Sequence, residues 1–438
     1  MPSAPPEPDA APRGTRLLLF VLSSLFLANV VQWAACRVAG LGNPGGLKPY
    51  LLAFLHLRQW TDSWLPMLKS LDYFRAHPAE PIYYAHLYDT LIYPLASLLP
   101  LAALQKLGLA EPTILHLLAI ASWIAVLGVA AVSLWMGRWL LRRRNLNSPQ
   151  ARLDRQSILA VLLACIGCYP LLKGYALGNA QTFLSLLFAV LLYLWTTGRE
   201  RSAGVVTALL AFVKPQYALL WIWMLARRRW GAAAAFLICA AVLLLLSIAV
   251  FGWHNNLDYL RVLSSLSRKA QSHYANQSMF GTLNRMIGDG ENISYTPHLY
   301  TPYIAWVYRT TIATSLLILA AALFFPWGKL RASTADLAAM GIASVAASPM
   351  AWEHHYGIVF AIAAWTWFAY GCWQVKRPWL LALASFLTLN ALTSTNFLAP
   401  HLGWNILQSY LYIGALLMMF VLMRLARNVT NNIAEPTP

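Results

Sequence analysis

Residues 199–230 read RERSAGVVTALLAFVKPQYALLWIWMLARRRW, and how this stretch meets a bilayer decides the fold. Gly204 to Ala226, about 23 residues, is apolar enough to cross a membrane. Yet Lys214-Pro215 stands in its middle, and basic residues flank both ends: Arg199 and Arg201 before it, Arg227 to Arg229 after it. Proline lacks an amide donor and disfavours the helical conformation in the residue before it, so a helix breaks here. One straight crossing would place one basic cluster outside, against the tendency of Lys and Arg to stay on the cytoplasmic side. The stretch is therefore predicted to be a broken hairpin of two short helices meeting at Lys214-Pro215 near the outer side, with both ends cytoplasmic.

The rest of the chain fits the same class. Of 438 residues 59% are hydrophobic and 11% charged, against roughly 25% charged in soluble domains. A soluble enzyme is excluded, and the chain is predicted to be an all-α polytopic protein of the inner (plasma) membrane. The 32 Lys+Arg against 15 Asp+Glu do not imply nucleic acid, because triplets such as Arg142 to Arg144 abut apolar runs and act as topology signals. About ten full spans are expected beside the hairpin, near 16–36, 113–137, 157–172, 180–197, 231–251, 303–325, 335–350, 356–373, 379–397 and 405–424. Residues 1–15 form a polar, disordered cytoplasmic lead, 16–424 the membrane domain, and 425–438 a cytoplasmic tail. Two long loops, 37–112 and 252–302, fall on the outer face.

Leu87 to Leu107 is an interfacial or re-entrant element rather than a span, since its apolar part is short and carries Pro94 and Pro100. A crossing there would make the next helix deliver Arg138, Arg142 to Arg144, Arg152 and Arg155 to the outside.

Several residues could carry chemistry. Asp62, flanked by Trp60 and Trp64 at the membrane surface, could have its pKa raised toward that of a useful general base. Asp72, Glu80 and Asp89 share its chemistry with weaker local context. Lys214 is the only basic residue in the middle of an apolar stretch this long, and its natural partner is an anion such as a lipid phosphate. Asn276-Gln277-Ser278, followed by Gly281 and Arg285, offers amides, a hydroxyl and a guanidinium suited to sugar and phosphate, although the triplet also reads as a glycosylation sequon. Trp352-Glu353-His354-His355 forms a short polar turn, whose adjacent histidines are poorly placed for a two-His metal site. Asp289-Gly290-Glu291 is the nearest approach to an acidic metal triplet. Cys165 and Cys168 form a C-x-x-C without a second ligand pair and read as small hydrophobes. No metal or cofactor is expected.

In order and spacing these motifs resemble glycosyltransferase family 87, the polyprenol-phosphate-mannose-dependent enzymes of the GT-C superfamily. The resemblance covers roughly residues 50–375. It rests on Asp62; a tyrosine-rich stretch leading to Tyr93-Pro94; Gly178, Asn179 and Gln181; Gly204, Lys214-Pro215 and Arg227 to Trp230; Asn276-Gln277-Ser278 with Gly281 and Arg285; and Ser348-Pro349, Trp352, His354 and His355. The chain has Tyr93-Pro94-Leu95 where Tyr-Pro-Pro is usual, and Gly178-Asn179-Ala180-Gln181 where Gly-Gln-x-Asn is common. Glu353 stands where Asp is common.

The resemblance implies a GT-C fold with interfacial helices in the first outer loop and an extracytoplasmic active site. It further implies an inverting transfer of a sugar, mannose, from a polyprenyl-phosphate donor to a lipid or envelope glycan. Asp62 would be the base, Lys214 and Arg285 would hold the lipid phosphate, and Asn276, Gln277, His354 and His355 would orient sugar or phosphate. Asn179, Gln181 and Tyr93 complete the expected substrate site. A lipid-linked-sugar transporter is the rival, but it has no need of a large acidic outer loop, and no internal repeat is evident. A catalytically inactive relative is a third reading.

Overall fold

The computed structural model describes residues 13–42, 45–83, 91–144, 153–268, 271–288, 292–293, 301–325, 332–370, 377–398 and 404–428. Asp89, the Asp289-Gly290-Glu291 triplet, Cys372 and most of both predicted tails lie outside these residues. Among the described residues the chain is helical, with no strand beyond one isolated bridge, Asn276 to Trp352.

The long first helix is α1 (Arg13–Val38). Between α1 and the next long helix lie three short helices, α2 (Lys48–Leu55), α3 (Trp64–Ala76) and α4 (Leu99–Lys106). With its leading 3-10 turn, α4 covers Leu95–Lys106 and is too short to span, as Pro94 and Pro100 predict. Then α5 (Glu111–Arg144) runs 34 residues, about 51 Å, and delivers its arginines to the far end.

The predicted span 157–172 is instead two helices, α6 (Arg155–Gly167) and α7 (Tyr169–Leu177), bent by 50° at Cys168. The cause is Pro170 in the first turn of α7, which has no amide to donate to the Ile166 carbonyl and whose ring crowds that carbonyl, so α6 cannot continue and Cys168 is extended at φ −74° and ψ 102°. Asp154 caps α6 by accepting the Ser157 amide at 2.7 Å.

The hairpin is broken where expected. Here α8 (Gln181–Thr196) leads to α9 (Glu200–Val213), Lys214 is extended at φ −133°, a 3-10 turn covers Pro215–Ala218, and α10 (Leu219–Ala226) follows. Its two ends meet, for Arg229 after α10 lies 3.1 Å from Glu200 at the start of α9. A straight helix would separate them by about 40 Å. The next helix, α11 (Trp230–Phe251), packs on α9 at Gly204, where a Cβ would come within 2.1 Å of the Ala232 carbonyl.

The remainder comprises α12 (Trp253–Arg268) and α13 (Met279–Met286), then α14 (Ala305–Phe324), α15 (Thr334–Ala346), α16 (Val359–Tyr370), α17 (Pro378–Leu389) and α18 (Tyr410–Asn428). Every residue of α15 is buried, and its alanines and Gly341 let neighbouring helices approach closely.

Among the described residues five helical runs are long and apolar enough to cross a membrane: Arg13–Val38, Glu111–Arg143, Trp230–Phe251, Ala305–Phe324 and Asn405–Arg424. The bent pair α6–α7 would make six. The other expected crossings fall on helices of 16 residues or fewer, so length and composition do not by themselves establish about ten.

Two ends of the bundle follow from the contacts. Thr196 ending α8 meets Thr334 starting α15, and Arg227 after α10 meets Asp336. At the opposite end gather the last turn of α7, the Lys214 break, the 271–278 loop and residues 348–358.

Candidate functional site

Asp62 is held at that second end by its own backbone. Residues 60–63 lie against the last carbonyls of α7: Trp60, Asp62 and Ser63 donate their amides to Ala176, Leu177 and Gly178 at 2.7, 2.9 and 3.2 Å. These are the acceptors that a helix end leaves unsatisfied. Gly178 closes α7 in the left-handed region at φ 65°, and a Cβ there would sit 2.0 Å from the Trp60 carbonyl, so this clamp requires glycine.

The clamp aims Asp62 at Asn179, whose amide nitrogen donates to Asp62 Oδ2 at 2.6 Å. Asn179 Oδ1 in turn accepts the Gln181 amide at 2.8 Å, which fixes its orientation. Ser63 Oγ accepts the Ala180 amide at 3.2 Å and sits 2.7 Å from the Tyr93 hydroxyl, so Tyr93 braces the clamp from behind.

Asp62 is exposed by surface area, although protein atoms crowd its surroundings. That desolvation pushes its carboxyl above the ordinary carboxylate range, opposed first by the Asn179 hydrogen bond and then by the charges of Lys214 and Lys173.

Lys214 is buried at the hairpin break, within electrostatic range of Asp62, His354 and His355. Its Nζ has no hydrogen-bond partner among the described residues, and neither do His354 Nε2 and His355 Nδ1. Gln181 also reaches the His355 carbonyl through Nε2 at 3.4 Å, tying α8 to the histidine turn. Buried donors are normally satisfied, and a cluster that is not marks a place for a polar ligand.

The loop around Asn276 has a different role. Gln277 donates its amide to Ala351 at 2.7 Å and Glu353 donates its amide to Ala275 at 3.0 Å, on either side of the Asn276–Trp352 bridge. The Gln277 side chain donates to the carbonyls of Tyr274 and Gln408 and accepts the Tyr412 amide. Asn276 Oδ1 accepts from Ser278 Oγ at 2.9 Å, while its amide donates to Gln271. Fully buried Arg285 donates to the carbonyls of His273 and Asn276 at 3.1 and 2.8 Å and to Ser409 Oγ at 2.6 Å. Asn276, Gln277 and Arg285 thus hold this loop against the histidine turn and the start of α18. His273 in the same loop is pushed down to about 4, chiefly by burial and then by Lys173.

Two groups escaped the sequence reading. Lys173 on α7 pairs with Glu353, which also accepts from the Tyr169 hydroxyl at 2.8 Å, and both partners are buried. The signal existed, since Lys173 lies in an apolar run just as Lys214 does. Ser63 carried no signal, because its value lies in contacts with Tyr93 and Ala180, distant in sequence.

A helical, multi-pass membrane protein with a crowded carboxylate beside an unpaired buried lysine is the class these observations define. The sequence model of glycosyltransferase family 87 matches residues 91–350, and the chain belongs to that family, whose members are membrane glycosyltransferases. No curated protein and no solved structure matches the chain. Tyr93, Asn179, Gln181, Lys214, Asn276, Gln277 and Arg285 fall within the matched residues, while Asp62 precedes them and His354 and His355 follow.

Proposed function

We propose that this protein transfers a sugar, mannose, from a polyprenyl-phosphate donor to a lipid or envelope glycan on the extracytoplasmic face of the inner membrane, with inversion at the anomeric carbon. The observation that carries the reading is the juxtaposition of Asp62, held by Asn179, with the unpartnered Nζ of Lys214.

Asp62 takes the proton of an acceptor hydroxyl as that oxygen attacks the anomeric carbon, and the bond to the donor phosphate breaks. One carboxylate suffices, because a leaving phosphate needs charge stabilisation rather than a proton. Lys214 supplies that charge, and His354, His355 and Gln181 donate or accept around the phosphate and sugar. Asn276, Gln277 and Arg285 position the histidine turn, and Tyr93 braces the Asp62 clamp.

In this reading the fold is GT-C, with about ten crossings beside the hairpin. The arginines that end α5 and flank the hairpin lie at the end of the bundle remote from Asp62, which supports cytoplasmic termini and an outer site.

The test is transfer from radiolabelled polyprenyl-phosphate-mannose to an envelope lipid extract by purified protein in lipid. Asp62→Asn is expected to lower transfer by about 10²–10⁴-fold, with donor binding retained. Undiminished transfer in that variant removes Asp62 as the base, and no transfer by the wild type overturns the donor assignment.

A further inference from the structure

Lys173 and Glu353 form a second buried charge cluster near Asp62, and no step of the transfer described above uses it. Lys173 stands on α7 four residues before Leu177, about 6 Å along the axis from the helix end whose carbonyls hold Asp62. Glu353 opens the turn that carries His354 and His355, and its amide donates to the Ala275 carbonyl at 3.0 Å. The two side chains form an ion pair, and the Tyr169 hydroxyl donates to Glu353 Oε2 at 2.8 Å and accepts from Lys173 at 3.1 Å. The rings of Tyr50 from α2, of Tyr169 and of Tyr274 lie 6.0, 5.5 and 5.7 Å from Lys173 Nζ. Gly174, the next residue, brings the α7 backbone against the same turn, for a Cβ there would sit 3.6 Å from His354 Cβ. Four segments thus converge on one lysine: α2, α7, the loop around Asn276 and the histidine turn.

A buried ion pair adds little stability over apolar side chains of the same bulk, so its value lies in what it fixes. The charge of Lys173 reaches Asp62, where it favours the carboxylate, and it also reaches His273 and His354. Glu353 opposes that charge from the histidine turn, and itself faces Arg285 and Tyr410. Lys214 from the hairpin break, Asn179 after α7 and Tyr93 are the other groups that face Asp62. The field at Asp62 therefore depends on the histidine turn being docked on α7.

We propose that Lys173, Glu353 and Tyr169 are positioning residues, which lock the end of α7 that holds Asp62 to the histidine turn, and that the balance of the two charges sets the field at the base. In calling Asp62 the base, the proposal rests on the glycosyltransferase reading above.

The test is the pH dependence of kcat/KM in Lys173→Met, in Glu353→Gln and in the double variant Lys173→Met with Glu353→Leu. In parallel the Asp62 carboxyl is titrated without substrate by infrared difference spectroscopy against Asp62→Asn. Lys173→Met withdraws a positive charge, so the acid limb and the carboxyl titration should both move up by about one pH unit. Glu353→Gln keeps an oxygen for Tyr169 and Lys173 to donate to but removes the balancing charge, so both should move down. The double variant replaces the pair by apolar bulk, which keeps the protein folded, and should move both up. In all three variants kcat on the alkaline plateau should fall severalfold. Rate loss with no shift, or shifts of one sign in all three, shows a merely structural pair and overturns the proposal. A wild-type plateau in the double variant overturns the lock. If the wild type transfers no sugar, the enzymatic reading fails, and the carboxyl titration alone then decides the role of the pair, an unmoved Asp62 overturning it.

Discussion

The two ends of the bundle each bury basic residues, and Arg227 at one end and Lys214 at the other are held in opposite ways. At one end Arg227 is saturated: Nε and Nη2 donate to the two Asp336 oxygens at 2.6 and 3.0 Å, and further bonds reach the carbonyls of Leu323 and Ala322. Asp336 also accepts the Ala332 amide at 2.9 Å, so that both charges are matched. At the other end Lys214 is just as enclosed and its Nζ has no partner among the described residues. A saturated buried charge ties helices together. An unsaturated one costs stability, and the cost is recovered when an anion arrives.

The largest effect should come from breaking the saturated end. Asp336→Ala leaves Arg227 buried without its counter-charge and is expected to cost about 3–5 kcal/mol. Thermal unfolding in lipid nanodiscs would show this, and Arg227→Met with Asp336→Leu should recover most of the loss. If the single variant unfolds with the wild type, the pair does not hold α10 to α15 and the contrast between the ends collapses.

The unsaturated end should respond with the opposite sign. Lys214→Met keeps the length of the side chain and removes a buried unpaired donor, and it is expected to raise stability by about 1–3 kcal/mol. Donor binding should fall by at least tenfold in the same protein. Loss of stability together with binding would mean that Lys214 is a structural residue like Arg227.

The sequence made one of these ends more legible than the other. Lys214 and the hairpin were readable because proline chemistry is local and because a lysine amid apolar residues is conspicuous. The pairing of Arg227 was not, since its partner lies 109 positions away and the arginine stood in a triplet that served the topology. The same distance hid the contact of Asp62 with Asn179, 117 positions apart, and that of Lys173 with Glu353, 180 apart. The bend at Cys168 had a visible cause in Pro170, but the hydrophobic run continues through it, and apolar composition alone does not register a 50° change of direction. Arg285 was expected at the phosphate because guanidinium groups suit phosphate. Its Nη donors are directed at the His273 and Asn276 carbonyls and at Ser409 Oγ, a demand that loop closure sets and composition does not show, while its Nε has no partner among the described residues.

Asn179 offers the smallest and sharpest test, since it separates tuning of Asp62 from mere shaping of the site. Its amide donates to the ionised carboxylate and so favours that form, while the surrounding protein favours the neutral acid. With burial the larger influence, the Asp62 pKa lies above the usual carboxylate value. A base works only when deprotonated, so transfer should rise with pH through this raised pKa and fall away below it. Asn179→Ala removes a stabilising donor and leaves the burial, which moves the pKa further up. The acid limb of kcat/KM should therefore shift to higher pH, while the rate on the alkaline plateau changes much less than in Asp62→Asn. Asn179→Asp, which places a second carboxylate against the first, should move the limb further still. A uniform loss of rate with the limb unmoved would show Asn179 to be a positioning residue only, and would assign the acid limb to a group other than Asp62.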